Sequence, residues 1–241
     1  MANRFRYLFL LAIKAVTRIL YRVEVTWIHS EPPGPWDDLR ILAMLNHTSL
    51  FEWLYAASAP NHLLERIASE ALVPIADKTA RRPLAGRFYR LLAPHFVSIT
   101  READSTWQTV LDKLEGHGMV VILPEGRMMR ANGLDKNGKP MTVRGGVADI
   151  LRAMPDGRML VVYCGGLHHV QAPGQLFPKL FKTIRIAFEM VDIAKYKEAL
   201  EESTGPGTGR FKTRVKADLE GRRDRYCPPL AEGPRRTASD E

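Results

Sequence analysis

The chain lacks an apolar run of the ~20 residues that a membrane-spanning helix needs. Its longest, Tyr7 to Ile13, is far shorter, so this segment is not expected to cross a bilayer. Cysteine is scarce: Cys164 sits in an apolar stretch and Cys227 in a basic tail, too few for a disulfide scaffold, and both are expected to be reduced. Acidic side chains are missing from the whole amino terminus, Glu24 being the first. Histidines and cysteines at zinc-binding spacing are missing too. Cys164, His168 and His169 lie close together, but adjacent histidines on extended backbone point to opposite faces, so no metal is expected. No internal repeat and no recognisable nucleic-acid module occurs, and nucleic acid is not an expected partner.

What is present points to one α/β domain. At 241 residues and 45% hydrophobic, the chain is long enough for one substantial core and too short for two comfortable ones. A formal charge of +8 favours a polyanionic neighbour such as a phosphate-bearing substrate or an anionic bilayer. Residues 1–28 sharpen that choice. On a helical wheel Arg4, Lys14, Arg18 and Arg22 fall within about 80° of one another, and Leu8, Phe9, Leu10, Ala12, Ile13, Val16, Ile19 and Leu20 cover most of the rest. A basic amphipathic helix of this kind suits a membrane interface, with cations at anionic headgroups and the apolar side in the acyl region. The other reading is a helix packed on the domain.

Strand and helix signals alternate through the middle of the chain. Strands are expected at 41–46, 96–100, 119–123 and 159–164, with helices at 49–58, 84–92 and 105–115. The continuous apolar runs at 119–123 and 159–164 read as strands covered on both faces, and the alternation from Ile184 to Met190 as a half-buried strand near an edge. Together they predict a mostly parallel mixed sheet flanked by helices over residues 29–202. Residues 203–241, rich in Gly, Pro and cations, read as a basic mobile extension.

The densest chemistry is Asn46-His47-Thr48-Ser49-Leu50-Phe51-Glu52, directly after the first apolar strand. It holds a candidate general base and a carboxylate that could fix its tautomer. On a continuous helix five residues turn through about 500°, which would point the two side chains apart. They meet only if His47 precedes the helix and Glu52 lies in its first turn. The same letters read as a capping box, Ser49 capping the helix and Glu52 reaching back to the Ser49 amide. Two more clusters fall at strand ends: Phe96-Val97-Ser98-Ile99-Thr100-Arg101 delivers an arginine, and Leu123-Pro124-Glu125-Gly126-Arg127 breaks a buried strand at a cation-rich turn. Guanidinium groups suit phosphate through paired hydrogen bonds, and a glycine admits a ligand close to the backbone.

In this order the blocks resemble the glycerolipid acyltransferase family, whose best-known members are 1-acylglycerol-3-phosphate acyltransferases. His47 to Glu52 is similar to its histidine-x4-acid block, Phe96 to Arg101 to its arginine-ended block, and Pro124-Glu125-Gly126 to the centre of its Phe-Pro-Glu-Gly-Thr-Arg block. Pro83-Leu84-Ala85-Gly86 and Val143-Arg144-Gly145-Gly146 add to the likeness, which spans residues 40–190. Three positions depart from the pattern: Glu52 stands for aspartate, Arg127 for threonine and Met128 for arginine. The last hydrophobic block, Leu160 to Gly166, lacks the usual proline.

The resemblance implies an O-acyltransferase in which His47 deprotonates the free hydroxyl of a lysophospholipid. That hydroxyl then attacks a thioester carried on coenzyme A or acyl carrier protein, with Glu52 holding the imidazole. It further implies that Arg101, Glu125, Gly126, Arg127 and Arg144 position the acceptor's phosphate. No cofactor is expected beyond the acyl-CoA or acyl carrier protein co-substrate. The expected setting is the cytoplasmic face of the inner membrane, peripheral or monotopic, on anionic lipid. The same chemistry on another acceptor, such as a lyso-ornithine lipid, and a non-catalytic basic lipid-binding protein are the alternatives.

Overall fold

The structure, a computed structural model, describes residues 2–31, 36–100, 104–114, 118–172, 175, 177–202 and 208–228. Seven strands form one sheet: β1 (Arg22–Trp27), β2 (Leu39–Leu45), β3 (Ala71–Ala76), β4 (His95–Ile99), β5 (Met119–Ile122), β6 (Arg158–Cys164) and β7 (Thr183–Asp192). Their order is β1-β7-β6-β2-β5-β3-β4. Strands β2 to β6 are mutually parallel, and β7 runs antiparallel to β6 and parallel to β1. This is the mostly parallel mixed sheet that the alternating signals predict. β2 is central, so the loop that follows it sits over the middle of the sheet's carboxyl edge.

Among the described residues eight α-helices flank the sheet: α1 (Ala2–Leu20), α2 (Asn61–Glu70), α3 (Asp77–Ala80), α4 (Pro83–Leu92), α5 (Ser105–Leu114), α6 (Gly146–Ala153), α7 (Ile193–Glu202) and α8 (Thr208–Tyr226). Side chains alternate along each strand, so the inner strands serve two cores. Ile41, Ala43, Val120, Met159, Val161 and Tyr163 pack with α5, α6, α7 and α8. Leu42, Val121, Leu160, Val162, Ile186 and Phe188 pack with α1, α2 and residues 52–58.

Three boundaries differ from the sequence reading. Residues 22–27 are not part of the amphipathic segment but an edge strand, paired in register from Arg22 with Thr183 to Trp27 with Phe188. Residues 52–58, expected within an α-helix, form a 3-10 helix beginning at Glu52. Residues 208–226, expected in a mobile tail, form α8, whose Phe211, Val215 and Leu219 are buried in the core; residues 203–207 and 229–241 lie outside the described residues. The many cations hide three apolar positions spaced by four residues, which form one stripe of α8 packed with α6 and α7.

α1 is packed and exposed at once. Leu10, Ile13 and Thr17 are buried against the domain, and the Phe9 ring meets that of Phe88 edge-on at 5.9 Å. Lys14 Nζ donates to the Ala59 carbonyl at 2.7 Å and Arg18 Nε to the Ala57 carbonyl at 3.0 Å. Two of the four cations expected at a headgroup layer are therefore turned onto the protein. No helix among the described residues is long and apolar enough to cross a membrane.

Candidate active site

β2 ends at Leu45, and Asn46 then takes a positive φ of 68°. Asparagine tolerates this left-handed conformation better than most residues. Its Nδ2 donates to the Cys164 carbonyl at the end of neighbouring β6, 2.7 Å away, which fixes the turn. The turn throws His47 off the strand toward the cavity. His47 and Glu52 then meet as the spacing requires, histidine before the helix and carboxylate at its first residue. His47 Nδ1 lies 2.7 Å from Glu52 Oε2, and both side chains are largely buried, the histidine 16% exposed.

Ser49 does not cap this helix, which starts at Glu52 with Phe51 before it and no side-chain cap, so the capping box is not formed; Glu52 instead divides its two oxygens between the loop and the imidazole. Oε1 accepts from the Thr48 amide at 2.8 Å and from the Ser49 amide at 3.5 Å, leaving Oε2 for the imidazole. Ser49 Oγ accepts from the Phe51 amide at 3.1 Å and donates to Gln171 Oε1 at 2.6 Å. Thr48 Oγ1 accepts from the Leu167 amide at 2.8 Å. A loop satisfied at this many points is rigid, which preorganises the base.

Glu125 is not where phosphate binding would need it. Its carboxylate is buried and accepts from the backbone amides of Asn46 at 3.2 Å and His47 at 2.7 Å. Arg223 Nη1 donates to the same carboxylate at 3.2 Å and to the Met141 carbonyl at 3.1 Å. Burial raises the Glu125 pKa above the usual carboxylate value, opposed by the His47 amide and Arg223. Glu125 therefore braces the peptide that carries the base and presents no oxygen to a substrate anion. That is also the electrostatically sensible place for it, since a carboxylate facing a phosphate would repel it.

The expected cations separate as well. Arg127 is ion-paired with Asp135, whose carboxyl is held down at about 2 by the Lys139 and Asn137 amides and by Arg127. Arg144 stays exposed, its amide donating to the Pro124 carbonyl at 2.8 Å, and it lines the cavity together with Gly126. Gly126 has a φ of 61°, so glycine suits that corner. Arg101 lies outside the described residues.

A cavity of about 370 Å³ is lined by His47, Glu52, Gly126 and Arg144 together with residues of the sheet and of α1, α2 and α4. Leu64, Ile67, Val73, Phe96, Val121 and Leu160 are among its walls, and Leu10 of α1 closes part of it. It falls within the size range of small-molecule sites and has the mix of long apolar wall and few polar groups typical of them. Among the described residues no three His, Cys, Asp or Glu side chains are grouped to hold a metal ion. His168 and His169 bond separate carbonyls, those of Met129 at 2.8 Å and Thr183 at 2.7 Å.

A histidine against a buried carboxylate, beside a cation and an apolar cavity, is an arrangement that suits acyl transfer. The sequence profile described as Acyltransferase matches residues 22–165, more than half of the chain and all of the His47 and Glu125 loops. The chain belongs to the acyltransferase family. Among solved structures it is similar to the 1-acyl-sn-glycerophosphate (LPA) acyltransferase PlsC from Thermotoga maritima. Identity is 16%, the match covers 90% of this chain and 80% of that one, and the TM-score is 0.51. No curated protein sequence matches the chain. At that identity the structural likeness speaks for the shared fold.

The family match ends at residue 165, yet two site contributors lie beyond it: Gln171, bonded to Ser49, and Arg223, bonded to Glu125. Neither was apparent from sequence. The stripe Phe211, Val215, Leu219 could have revealed α8, but nothing local marks which of its many arginines turns inward. Trp107 was also missed. It lines the cavity, donates to Asp149 at 3.2 Å, and crosses the start of α6 where a Cβ on Gly146 would sit 2.6 Å from its ring.

Proposed function

We propose that this acyltransferase moves a fatty acyl group from a thioester, on coenzyme A or acyl carrier protein, to the free hydroxyl of a lysophospholipid such as 1-acylglycerol-3-phosphate. The observation that carries this reading is the 2.7 Å contact between His47 Nδ1 and Glu52 in the wall of an apolar cavity. With the Nδ1 proton on the Glu52 side of the ring, the opposite nitrogen of His47 is the basic one. It takes the hydroxyl proton as the alkoxide oxygen attacks the thioester carbonyl. Collapse of the tetrahedral intermediate breaks the C–S bond, and the imidazolium returns its proton to the departing thiolate. The ester forms directly on the acceptor, with no acyl-enzyme.

The cavity walls suit an acyl chain, and Arg144 beside Gly126 suits an acceptor phosphate. α1 fits the interface of the cytoplasmic membrane face: Phe5, Leu8, Val16 and Ile19 are exposed on it, an apolar face that the fold leaves uncovered. A different lyso-lipid acceptor, such as a lyso-ornithine lipid, is favoured by one observation. Arg127 is spent on Asp135, and Met128 replaces a cation, so phosphate recognition rests on fewer groups than the family pattern provides.

Purified protein assayed with long-chain acyl-CoA against a panel of lysolipids, read by mass spectrometry, tests the proposal. Diacylated product is expected, with His47→Ala lowering turnover by about 10²- to 10⁴-fold at unchanged melting temperature. A folded His47→Ala protein that turns over at the wild-type rate would refute the general-base role.

A further inference from the structure

Among the described residues only Asn46 and Phe181 take a positive φ without being glycine, at 68° and 59°. Asn46 uses the conformation to place the catalytic loop. Phe181 is a bulky aromatic in a region that disfavours it, and its ring is 78% exposed, so no packing within the fold explains the strain. Phe177 in the same segment is 79% exposed, and Leu180 is exposed as well.

The segment is held in place. The Phe181 amide donates to the Leu20 carbonyl at the end of α1 at 2.8 Å, and the Arg22 amide donates to the Lys182 carbonyl at 3.1 Å. The Lys179 amide donates to the Val170 carbonyl at 2.7 Å. The clamp sets it beside Ile19, which is 76% exposed. Phe5, Leu8, Val16 and Ile19 fall within about 80° on a helical wheel. Exposed apolar residues on α1 and at 177–181 therefore meet where the Phe181 amide bonds the end of α1. A patch of this kind marks a contact surface, unlike scattered exposed apolar residues.

Charge identifies the occupant. No aspartate or glutamate occurs from Met1 to Val23 or from Gly157 to Phe188; Lys179 and Lys182 lie in the segment itself, and Arg22 beside it is ion-paired with Glu24 at 3.2 Å. Aromatic tips with cationic shoulders match the depth profile of an anionic bilayer, apolar below and negative at the headgroups.

We propose that the β6–β7 connection at residues 177–182 is a second membrane-inserting element, which docks together with α1 on anionic phospholipid. This rests on the reading of α1 as an interfacial helix and adds what that helix lacks. A helix lying in an interface leaves the protein free to roll about the helix axis, and a contact off the axis stops the roll. The root of the same connection is bonded to the base's loop, through the Leu167 amide to Thr48 Oγ1 at 2.8 Å and through Gln171 to Ser49 at 2.6 Å. Fixing the roll therefore fixes how the His47 cavity faces the lipid.

The test uses the full chain and vesicles of phosphatidylcholine with and without phosphatidylglycerol, read by co-sedimentation. Phe177→Ser/Phe181→Ser should weaken binding to the anionic vesicles by about tenfold or more. It should lower turnover of vesicle-borne lysolipid while sparing a water-soluble short-chain acceptor. Phe181→Gly separates docking from folding: relief of the left-handed strain should hold or raise the melting temperature, yet binding should still fall. Wild-type binding by the double serine variant would overturn the proposal. If Phe5→Ser/Ile19→Ser then abolishes binding, α1 alone is the anchor; if neither pair matters, the interfacial reading of α1 fails too. Equal binding to pure phosphatidylcholine would overturn the choice of an anionic partner. A dimer that becomes monomeric on Phe177→Ser/Phe181→Ser, with vesicle binding intact, would make the patch a contact between copies.

Discussion

Two buried carboxylates hold His47, one by its ring and one by its backbone. Glu52 stands five positions away and reaches the imidazole at 2.7 Å; Glu125 stands 78 positions away and accepts from the His47 amide at the same distance. In the proposed mechanism the first pair would set which nitrogen carries the proton. The second sets where the ring is. Chemistry and placement are thus divided between a local group and a distant one, and mutations at the two should fail differently.

Glu52→Gln should show the largest effect of a conservative change at either carboxylate. The amide oxygen can still accept from Thr48, but the NH2 then faces Nδ1 and forces the proton onto the nitrogen that must act as base. Turnover is expected to fall by about 10²-fold or more with little loss of thermal stability. Unchanged turnover in a less stable protein would reduce Glu52 to a brace of the loop.

Arg223→Met should reverse that balance. Removing the guanidinium leaves Glu125 buried without its cation, at a cost of about 1–3 kcal/mol read by denaturant unfolding, while turnover falls less than for Glu52→Gln. The pH dependence has a definite sign. Burial raises the folded pKa of Glu125, so the native state holds that proton to higher pH than the unfolded chain. Stability from this group declines as pH rises from the ordinary carboxylate value through the raised one. Losing Arg223 should extend that decline to higher pH, and Glu125→Gln in the Arg223→Met background should flatten it.

The same division explains what could be read from the letters. β2, β5 and β6 carry continuous apolar runs and β7 strict alternation, so each was visible alone. β3 was not, because Pro74 speaks against a strand. It is tolerated because β5 pairs β3 only through Ala71 and Leu72, leaving Pro74 with a neighbour on the β4 side alone. The His47–Glu52 couple was legible because the chain between the two residues is too short to allow many arrangements. The brace from Arg223 spans 98 positions and depends on how α8 docks, which no local pattern encodes. Glu125 shows the limit most clearly: its place in a family block identified it as important, but not that it faces inward.

The cations near the third block allow a finer comparison, between Arg144 on the cavity and Arg127 off it. Arg144→Ala should raise KM for a phosphate-bearing acceptor about tenfold and leave kcat nearly unchanged, because the contact positions the substrate without entering the bond changes. An unchanged KM would favour the acceptor without phosphate.

Arg127→Ala should leave KM alone and act on the turn of residues 127–139. There Asp135 is held at about 2, chiefly by the Lys139 amide, then by the Asn137 amide and Arg127. A depressed carboxyl pKa lends stability above its unfolded value, which is lost as pH falls toward the folded one. The wild-type turn should therefore open only as pH drops from about 4 toward 2, and Arg127→Ala should move that opening slightly upward, since the two backbone amides remain. Hydrogen exchange across 130–139 at successive acid pH values would detect the shift. A KM change in this variant without a change in acid opening would return Arg127 to the acceptor site and leave the ion pair with Asp135 as a resting arrangement.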